Sequence, residues 1–270
     1  MMTIPKNVQE DNLSVAWAKG FLAAMSSGTG ALAPLNVTVT GLQGKPPAES
    51  AEIRRLLDET LVGVGRRRCH TVANTIFPAN LARRSADRQV LYERYKRVYK
   101  KIKRLSINRN GIYFQRMIDY GRGPEDGNQL EHLIKTYQAG NHRPSALQVT
   151  VFDAGRDHSN SRRRGFPCLQ HVFFTPMGRG KLAVNGVYAS QYLCARAYGN
   201  YLGLCRLGLF VAEQLKMELD QMTCFAARAM IDGEIKGRIR GFAGRLGEMV
   251  GAGEPELTPS PSGGPHAEAR

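Results

Sequence analysis

The segment from about 198 to 217 constrains the fold most, because it predicts a long helix that is apolar on most of its surface. Four apolar residues lie on one stripe of this helix: Leu202, Cys205, Leu209 and Ala212. Phe210 and Val211 widen the stripe. A helix this apolar is buried at the centre of a domain rather than lying on its surface. A chain of 270 residues is long enough to enclose it.

Strands are predicted where β-branched and aromatic residues cluster or alternate with polar ones. These runs are 35–42, 146–153, 168–175 and 181–189. Further helices are predicted around Trp17 and Phe21, after a capping Ser50, over 89–105 and over 128–139. Interspersed strands and helices favour an α/β or α+β fold in a single domain over 1–250. The Gly-, Pro-, Ser- and Glu-rich segment 251–270 predicts a disordered tail.

The net charge of +15, from 38 Lys and Arg against 23 Asp and Glu, attracts anions. This positive charge is compatible with binding of nucleic acid, with binding of phosphorylated small ligands, or with a role in solubility alone. The helix at 89–105 carries much of this charge, and it is either a polyanion-binding face or a solvated surface. Lys6, Glu10 and Asp11 interrupt the segment where a signal peptide needs an apolar run. No run approaches the roughly 20 apolar residues of a membrane span, so a cytoplasmic protein is expected.

Five cysteines without CxxC spacing favour free thiols over disulfides or a zinc site. Cys168 follows Pro167 and the arginines 162–164, and nearby positive charge stabilises a reactive thiolate. The alternative is that these arginines point away and Cys168 is a small core residue. Cys194, Cys205 and Cys224 are expected in the core. Cys69, which is next to Arg68, is expected in an exposed loop.

The run RGFPCLQHVFF around Cys168 is followed by GKL at 180–182 and ASQYLCARAYGN at 189–200. This order resembles the catalytic stretch of the thymidylate synthase and cytidylate hydroxymethylase family. Upstream, RCHTVANTIFP at 68–78 resembles the family's flexible phosphate loop, and GIYF at 111–114 resembles its Tyr-Gly segment. The resemblance spans roughly residues 66–230.

The resemblance implies a mixed sheet flanked by helices, with a long central helix. It also implies a homodimer that packs sheets back to back and completes each active site across the interface. Cys168 would add to a pyrimidine ring, Tyr113 would assist proton removal, and Asn200 would bind the pyrimidine edge. Arg68 and Ser190 would hold the phosphate, and Arg143 lies nearest to the arginines that the family donates across its dimer. The surplus arginines at 66, 67 and 162–164, including Arg164, could add anion contacts from new directions, or they are surface charges. The cofactor would be 5,10-methylenetetrahydrofolate, and the product a methyl or hydroxymethyl group.

Several positions depart from the family pattern, and they fall on the substrate site. The family's phosphate arginine, an aspartate and the two ribose-binding residues are replaced by Ala189, Tyr192, Ala229 and Ile231. The general base has no clear counterpart, and Glu93 is the nearest candidate. The sequence therefore predicts one-carbon transfer to a non-standard pyrimidine nucleotide or related heterocycle, an anionic small molecule. The alternative is a catalytically silent relative that binds nucleotide or RNA through its basic surfaces.

Overall fold

The computed structural model describes residues 4–108, 110–160 and 166–251. Within these residues eight strands form one mixed sheet, in the order β3-β4-β5-β7-β2-β8-β6, with β1 paired to β2. The strands are β1 (Ile4–Glu10), β2 (Ala31–Val39), β3 (Gln148–Thr150), β4 (Leu169–Gly178), β5 (Lys181–Tyr188), β6 (Gln191–Tyr192), β7 (Glu218–Ala226) and β8 (Ala229–Met230). The expectation of a mixed α/β fold is confirmed, and the tail at 251–270 lies almost wholly outside the described residues.

Ten helices accompany the sheet in the described part of the chain. They are α1 (Leu13–Ser26), α2 (Ala51–Gly63), α3 (Cys69–Ile76), α4 (Ala79–Arg83), α5 (Arg88–Ile102), α6 (Tyr113–Ile118), α7 (Gln129–Gln138), α8 (Ala154–Asp157), α9 (Tyr198–Gln214) and α10 (Arg240–Gly251). The helices predicted around Trp17, after Ser50, over 89–105 and over 128–139 correspond to α1, α2, α5 and α7. The Ser50 hydroxyl accepts a hydrogen bond from the Ile53 amide, as expected of an N-cap.

The predicted central helix is α9, and it packs on β5 and β7 through two glycines. A Cβ on Gly186 of β5 would lie 2.6 Å from Leu204, and one on Gly208 would lie 2.8 Å from Val184. These distances are shorter than van der Waals contact, so only glycine permits such a close approach of helix and sheet. Between Tyr198 and Gly208, every α9 residue except Arg206 is buried.

Helix α3 packs on another side of α9 with equal closeness. A Cβ on Gly199 would lie 2.7 Å from the carbonyl oxygen of Cys69, and one on Gly203 would lie 2.9 Å from that of Ala73. The structure therefore corrects the flexible loop expected over 68–78, because most of this segment forms a helix. Cys69 is also not exposed: its relative exposure is 2%, because it begins the face of α3 that is buried against α9.

The N-terminal elements complete the core. Trp17 and Phe21 of α1 are buried, and the Trp17 indole donates a hydrogen bond to the Leu193 carbonyl at 2.8 Å. This bond ties α1 to the turn that precedes α9. The strand β1, which was not predicted, pairs in parallel with β2.

A buried ion pair joins α6 to α8. Arg116 of α6 donates to both carboxylate oxygens of Asp157, at 3.1 and 2.9 Å, and also bonds the Val151 carbonyl. A bidentate pair with an additional backbone bond satisfies most of the polar atoms that burial removes from water. No helix in the described ranges is long and apolar enough to cross a membrane.

Candidate functional site

Cys168 opens into a cavity of about 430 Å³ at the start of β4. The described residues that line it come from segments far apart in the sequence: Arg67, Val72, Thr75, Asn108, Gly111, Ile112, Tyr113, Phe166, Cys168, Ser190, Gln191, Tyr192, Arg196 and Asn200. Four residues predicted from the sequence therefore line one cavity: Cys168, Tyr113, Ser190 and Asn200. A volume of this size falls within the range of small-molecule sites.

The cysteine is placed by the segment that precedes β4. The Phe166 ring stacks on Tyr113 with centroids 5.3 Å apart, and the Arg116 guanidinium lies 5.3 Å from its centre. Gly111 has a φ of 123° and approaches the same ring, so a Cβ there would lie 2.9 Å from Phe166. The Cys168 carbonyl accepts the Ala189 amide at 3.0 Å. These contacts hold Cys168 at the edge of the cavity.

The Cys168 thiol has two groups near it that favour its ionised form. Burial raises the pKa of this thiol, while the Ser190 hydroxyl and the positive charge of Arg196 lower it. Ser190 Oγ donates to Cys168 Sγ at 3.8 Å. Because burial is the largest of these effects, the resting group is a thiol at neutral pH. Reaction as a nucleophile requires the loss of its proton.

Tyr113 and Asn200 supply neutral hydrogen-bonding groups. Burial raises the pKa of Tyr113 well above its usual value, so its phenol is protonated at neutral pH and is able to donate a hydrogen bond to a ligand. Asn200 is 4% exposed on the first turn of α9. An amide offers both a donor and an acceptor, which suits the edge of a planar heterocycle.

Two arginines, Arg67 and Arg196, supply the charge of the cavity. Burial and the proximity of Arg196 both lower the pKa of Arg67. No Asp or Glu is found among the described residues that line the cavity. Two guanidinium groups that share a cavity without a carboxylate favour the binding of an anion.

Arg67 was expected only as one of several surplus arginines, and Arg196 was not singled out from the sequence. Arg196 lies in a five-residue π-helical turn, Leu193–Ala197, that leads into α9. Such turns are frequent at functional sites. The available signal was that Arg196 stands four residues before Asn200, the spacing that brings side chains to one helical face.

The other predicted site residues lie elsewhere. Arg68 is exposed at the N-terminus of α3, and its neighbour Arg67 lines the cavity instead. Arg143 is exposed before β3 and away from the cavity of its own chain. Arg164 lies outside the described residues. Glu93, the candidate base, is exposed on α5 and pairs with Lys96 at 3.9 Å.

The remaining cysteines are structural. Cys194, Cys205 and Cys224 are buried, as predicted, and burial raises the pKa of each thiol. Within the described residues, no group of three or more His, Cys, Asp and Glu side chains is arranged to hold a metal ion.

A second, more apolar cleft of about 520 Å³ adjoins the Cys168 cavity. The two share Arg67, Thr75, Asn108 and Ile112 in their walls. Val98, Ile102 and Leu105, from α5 and the residues after it, line its apolar side. Neither a family model nor a curated protein matches this chain, so the chemistry of the site has to follow from its own residues and geometry.

Proposed function

We propose that the protein transfers a folate-borne one-carbon unit to C5 of a non-standard pyrimidine nucleotide or related heterocycle. The observation that carries this proposal is the convergence of Cys168, Tyr113, Ser190 and Asn200 on one cavity, although up to 87 positions separate them in the sequence. A nucleophile, two neutral hydrogen-bonding groups and an amide are the groups that addition to a polar ring requires. None of its five cysteines forms a disulfide, which is compatible with the reducing cytoplasm that we propose as its compartment.

The proposed reaction begins with the loss of the Cys168 proton to water. The sulfur then forms a bond to C6 while the C5–C6 double bond opens, and the electron pair moves to C5. That carbon would bond to the one-carbon unit, the C5 proton would leave to solvent, and the bond between the one-carbon unit and the folate nitrogen would break. Hydride from the folate, or water, would then complete the methyl or hydroxymethyl group as expulsion of the sulfur restores the double bond. Asn200 would hold the ring edge, and Tyr113 would donate a hydrogen bond to the ring as negative charge develops.

The substrate is proposed to be anionic because of Arg67 and Arg196. A phosphate or carboxylate between two guanidinium groups gains charge-assisted hydrogen bonds, each worth about 1.5–3 kcal/mol. These two arginines would take the role that the resemblance assigned to Arg68.

The adjoining cleft is the proposed site of methylenetetrahydrofolate, which would supply the one-carbon unit when bound. The Tyr95 hydroxyl is buried with no hydrogen-bond partner in the described part of the chain, and Tyr95 lines this cleft. A cleft with apolar walls and one unsatisfied donor suits a flat aromatic group that carries hydrogen-bond acceptors. Val98, Ile102 and Tyr95 would contact such a group.

The experiment that tests the activity is the release of tritium from pyrimidine nucleotides labelled at C5. We expect release to water only with methylenetetrahydrofolate present, and loss of release in Cys168→Ala. A matched control is Cys224→Ala, which removes a buried thiol outside the cavity. If Cys168→Ala releases tritium as fast as the native protein, Cys168 is not the nucleophile and the proposal fails.

A homodimer is proposed from one face of the sheet, which we name the open sheet face. Cross-strand pairing places two rows of residues on it: Thr38, Thr223, Asn185, Phe173 and Gln148, and Asn36, Phe225, Val187, His171 and Thr150. None of these ten is Lys, Arg, Asp or Glu, although charged residues make up 23% of the chain. An uncharged face with two exposed aromatic rings lets a second copy dock without repulsion between like charges.

The dimer is tested by the double substitution Phe173→Asp with Phe225→Asp, at rings that are 38% and 39% exposed. We expect the mass measured by light scattering to fall from that of two chains to that of one, because the new carboxylates would face each other. The control Val98→Asp places the same charge at an exposed apolar position on α5. A native protein that is already monomeric at micromolar concentration overturns the proposed dimer.

The exposed cations of α5 and the turn after it favour a second candidate function, the binding of RNA. Lys100, Lys101, Lys103 and Arg104 are exposed, and none forms an ion pair with another described residue. Replacing all four by Ala would weaken RNA binding and flatten its dependence on salt, if the surface contacts phosphates. Absence of RNA binding at low salt excludes this function.

A further inference from the structure

A third cavity, of about 800 Å³, lies on the other side of α3 and shares no lining residue with the Cys168 cavity. Helix α3 and the residue after it contribute His70 and Phe77 to it, whereas Val72 and Thr75 face the Cys168 cavity. Its floor is formed by α9 and includes Leu202, Arg206 and Phe210. The two cavities are therefore separate sites divided by one helix.

Arg206 is the unusual residue of this cavity. It is the one residue of α9 between Tyr198 and Gly208 that is not buried, and it lies between buried turns of the most apolar helix. Its guanidinium donates to His70 Nδ1 at 3.1 Å and to the Asn74 side chain at 3.4 Å, both uncharged partners. Arg206 forms no ion pair with a carboxylate of the described residues. The charge of Glu49 acts on Arg206, but no ion pair joins the two described side chains, so a bound anion would add the direct charge-assisted contacts that this partly buried cation lacks.

His70 extends the set of donors. Arginine has no acceptor, so His70 Nδ1 must accept the bond from Arg206, and the neutral ring then carries its proton on Nε2. Burial and the charge of Arg206 lower the pKa of His70, which keeps the ring neutral at pH 7. Arg83 of α4 adds a second guanidinium to the cavity, which is exposed and donates to the Asn80 side chain.

The carboxylates of the cavity have partners or lie on its rim. Glu49 is bonded by Arg54 and by the Tyr198 hydroxyl, each at 2.6 Å. Asp87 caps α5 by accepting the Val90 amide at 2.9 Å, and Glu213 is exposed at the rim. The remaining wall is apolar, with the Phe77 and Phe210 rings 5.0 Å apart between centroids. Donors at one end and aromatic rings beside them suit a ring that carries an oxyanion.

We propose that this cavity binds a small aromatic ligand bearing a phosphate or carboxylate, with the oxyanion between Arg83, Arg206 and His70 and the ring against Phe77 and Phe210. The site would be independent of the Cys168 cavity, so its ligand does not have to be the substrate. The proposal stands whether or not the protein transfers a one-carbon unit.

The test measures binding of phenyl phosphate, benzoate and inorganic phosphate by calorimetry. All measurements use the double variant Arg67→Ala with Arg196→Ala, which removes the anion contacts of the Cys168 cavity. We expect phenyl phosphate or benzoate to bind, whichever carries the preferred oxyanion, and inorganic phosphate to bind more weakly because it lacks the ring.

Adding Arg83→Ala to this background is expected to raise the dissociation constant about tenfold or more, the range for one charge-assisted hydrogen bond. Arg206→Gln should raise the dissociation constant by a similar factor, because the positive charge that attracts the oxyanion is lost. Glutamine can still donate a hydrogen bond to His70, so the wall of the cavity is kept. The matched control is Arg84→Ala, an exposed neighbour that does not line the cavity. If neither aromatic probe binds, or if Arg84→Ala weakens binding as much as Arg83→Ala, the proposed site is overturned.

Discussion

Cys168 is protonated at neutral pH because burial raises the pKa of its thiol more than Ser190 and Arg196 lower it. A thiol with a raised pKa is alkylated faster as the pH rises, by about tenfold per unit below its pKa. We therefore expect the rate of alkylation of Cys168 by iodoacetamide to increase steadily from pH 6.5 to about pH 9. Mass spectrometry of the peptide that contains Cys168 measures this rate.

Arg196 contributes to that reactivity through its charge. In Arg196→Ala we expect slower alkylation than in the native protein at pH 8, because the pKa of Cys168 rises further when the cation is removed. The control is Arg228→Ala, an exposed arginine that does not line the cavity. A rate that is equal in Arg196→Ala and the native protein shows that Arg196 does not act on Cys168.

The site could be predicted from the sequence where one residue type determines the chemistry. The family resemblance assigned Cys168, Ser190 and Asn200 to one site, and all three line the same cavity. Arg67 and Arg68 are adjacent and chemically identical, and only the direction of the chain entering α3 decides which one faces the cavity. Arg196 depends on a π-helical turn that has no clear sequence signature.

At the scale of elements, the contact between α3 and α9 depends on Gly203. In Gly203→Ala the new methyl group would lie 2.9 Å from the Ala73 carbonyl oxygen, so the two helices must separate. We expect a decrease of about 1–3 kcal/mol in the free energy of unfolding, the range for overpacking a core. Urea denaturation followed by circular dichroism measures it.

The control for this substitution is Gly247→Ala in α10, where an added Cβ meets nothing within 4 Å. Alanine has the higher helix propensity, so we expect this variant to be more stable than the native protein by up to about 1 kcal/mol. Opposite signs for the two variants would show that packing, and not the loss of glycine itself, determines the effect. A stabilised Gly203→Ala protein would contradict the close packing of α3 on α9.

Helices with a clear apolar face could be predicted, and their ends were accurate to a few residues. The helix expected at 198–217 ends at Gln214, and the one expected at 89–105 ends at Ile102. Helix α3 was missed because it has only eight residues and its burial depends on the glycines of a distant helix. The short strands β6 and β8, of two residues each, depend on tertiary pairing that no local pattern contains.

At the scale of the whole molecule, the five thiols differ in their exposure to solvent. Cys168 is partly exposed, and Cys69, Cys194, Cys205 and Cys224 are buried. We expect Ellman's reagent to titrate one thiol in the native protein and five in denaturant. Cys168→Ser should leave none reactive in the native state. More than one rapidly reacting native thiol would contradict the burial of the other four.

The Cys168 cavity also limits which reaction intermediates it can host. Among its described lining residues, two guanidinium groups face no carboxylate, so the electrostatic potential inside it is positive. Carbanions, enolates and thiolates gain stability in such a field, whereas carbocations lose it. Reactions that pass through an oxocarbenium ion, such as the cleavage of a glycosidic bond, are therefore disfavoured at Cys168, and carbon–carbon bond formation through an electron-rich carbon is favoured.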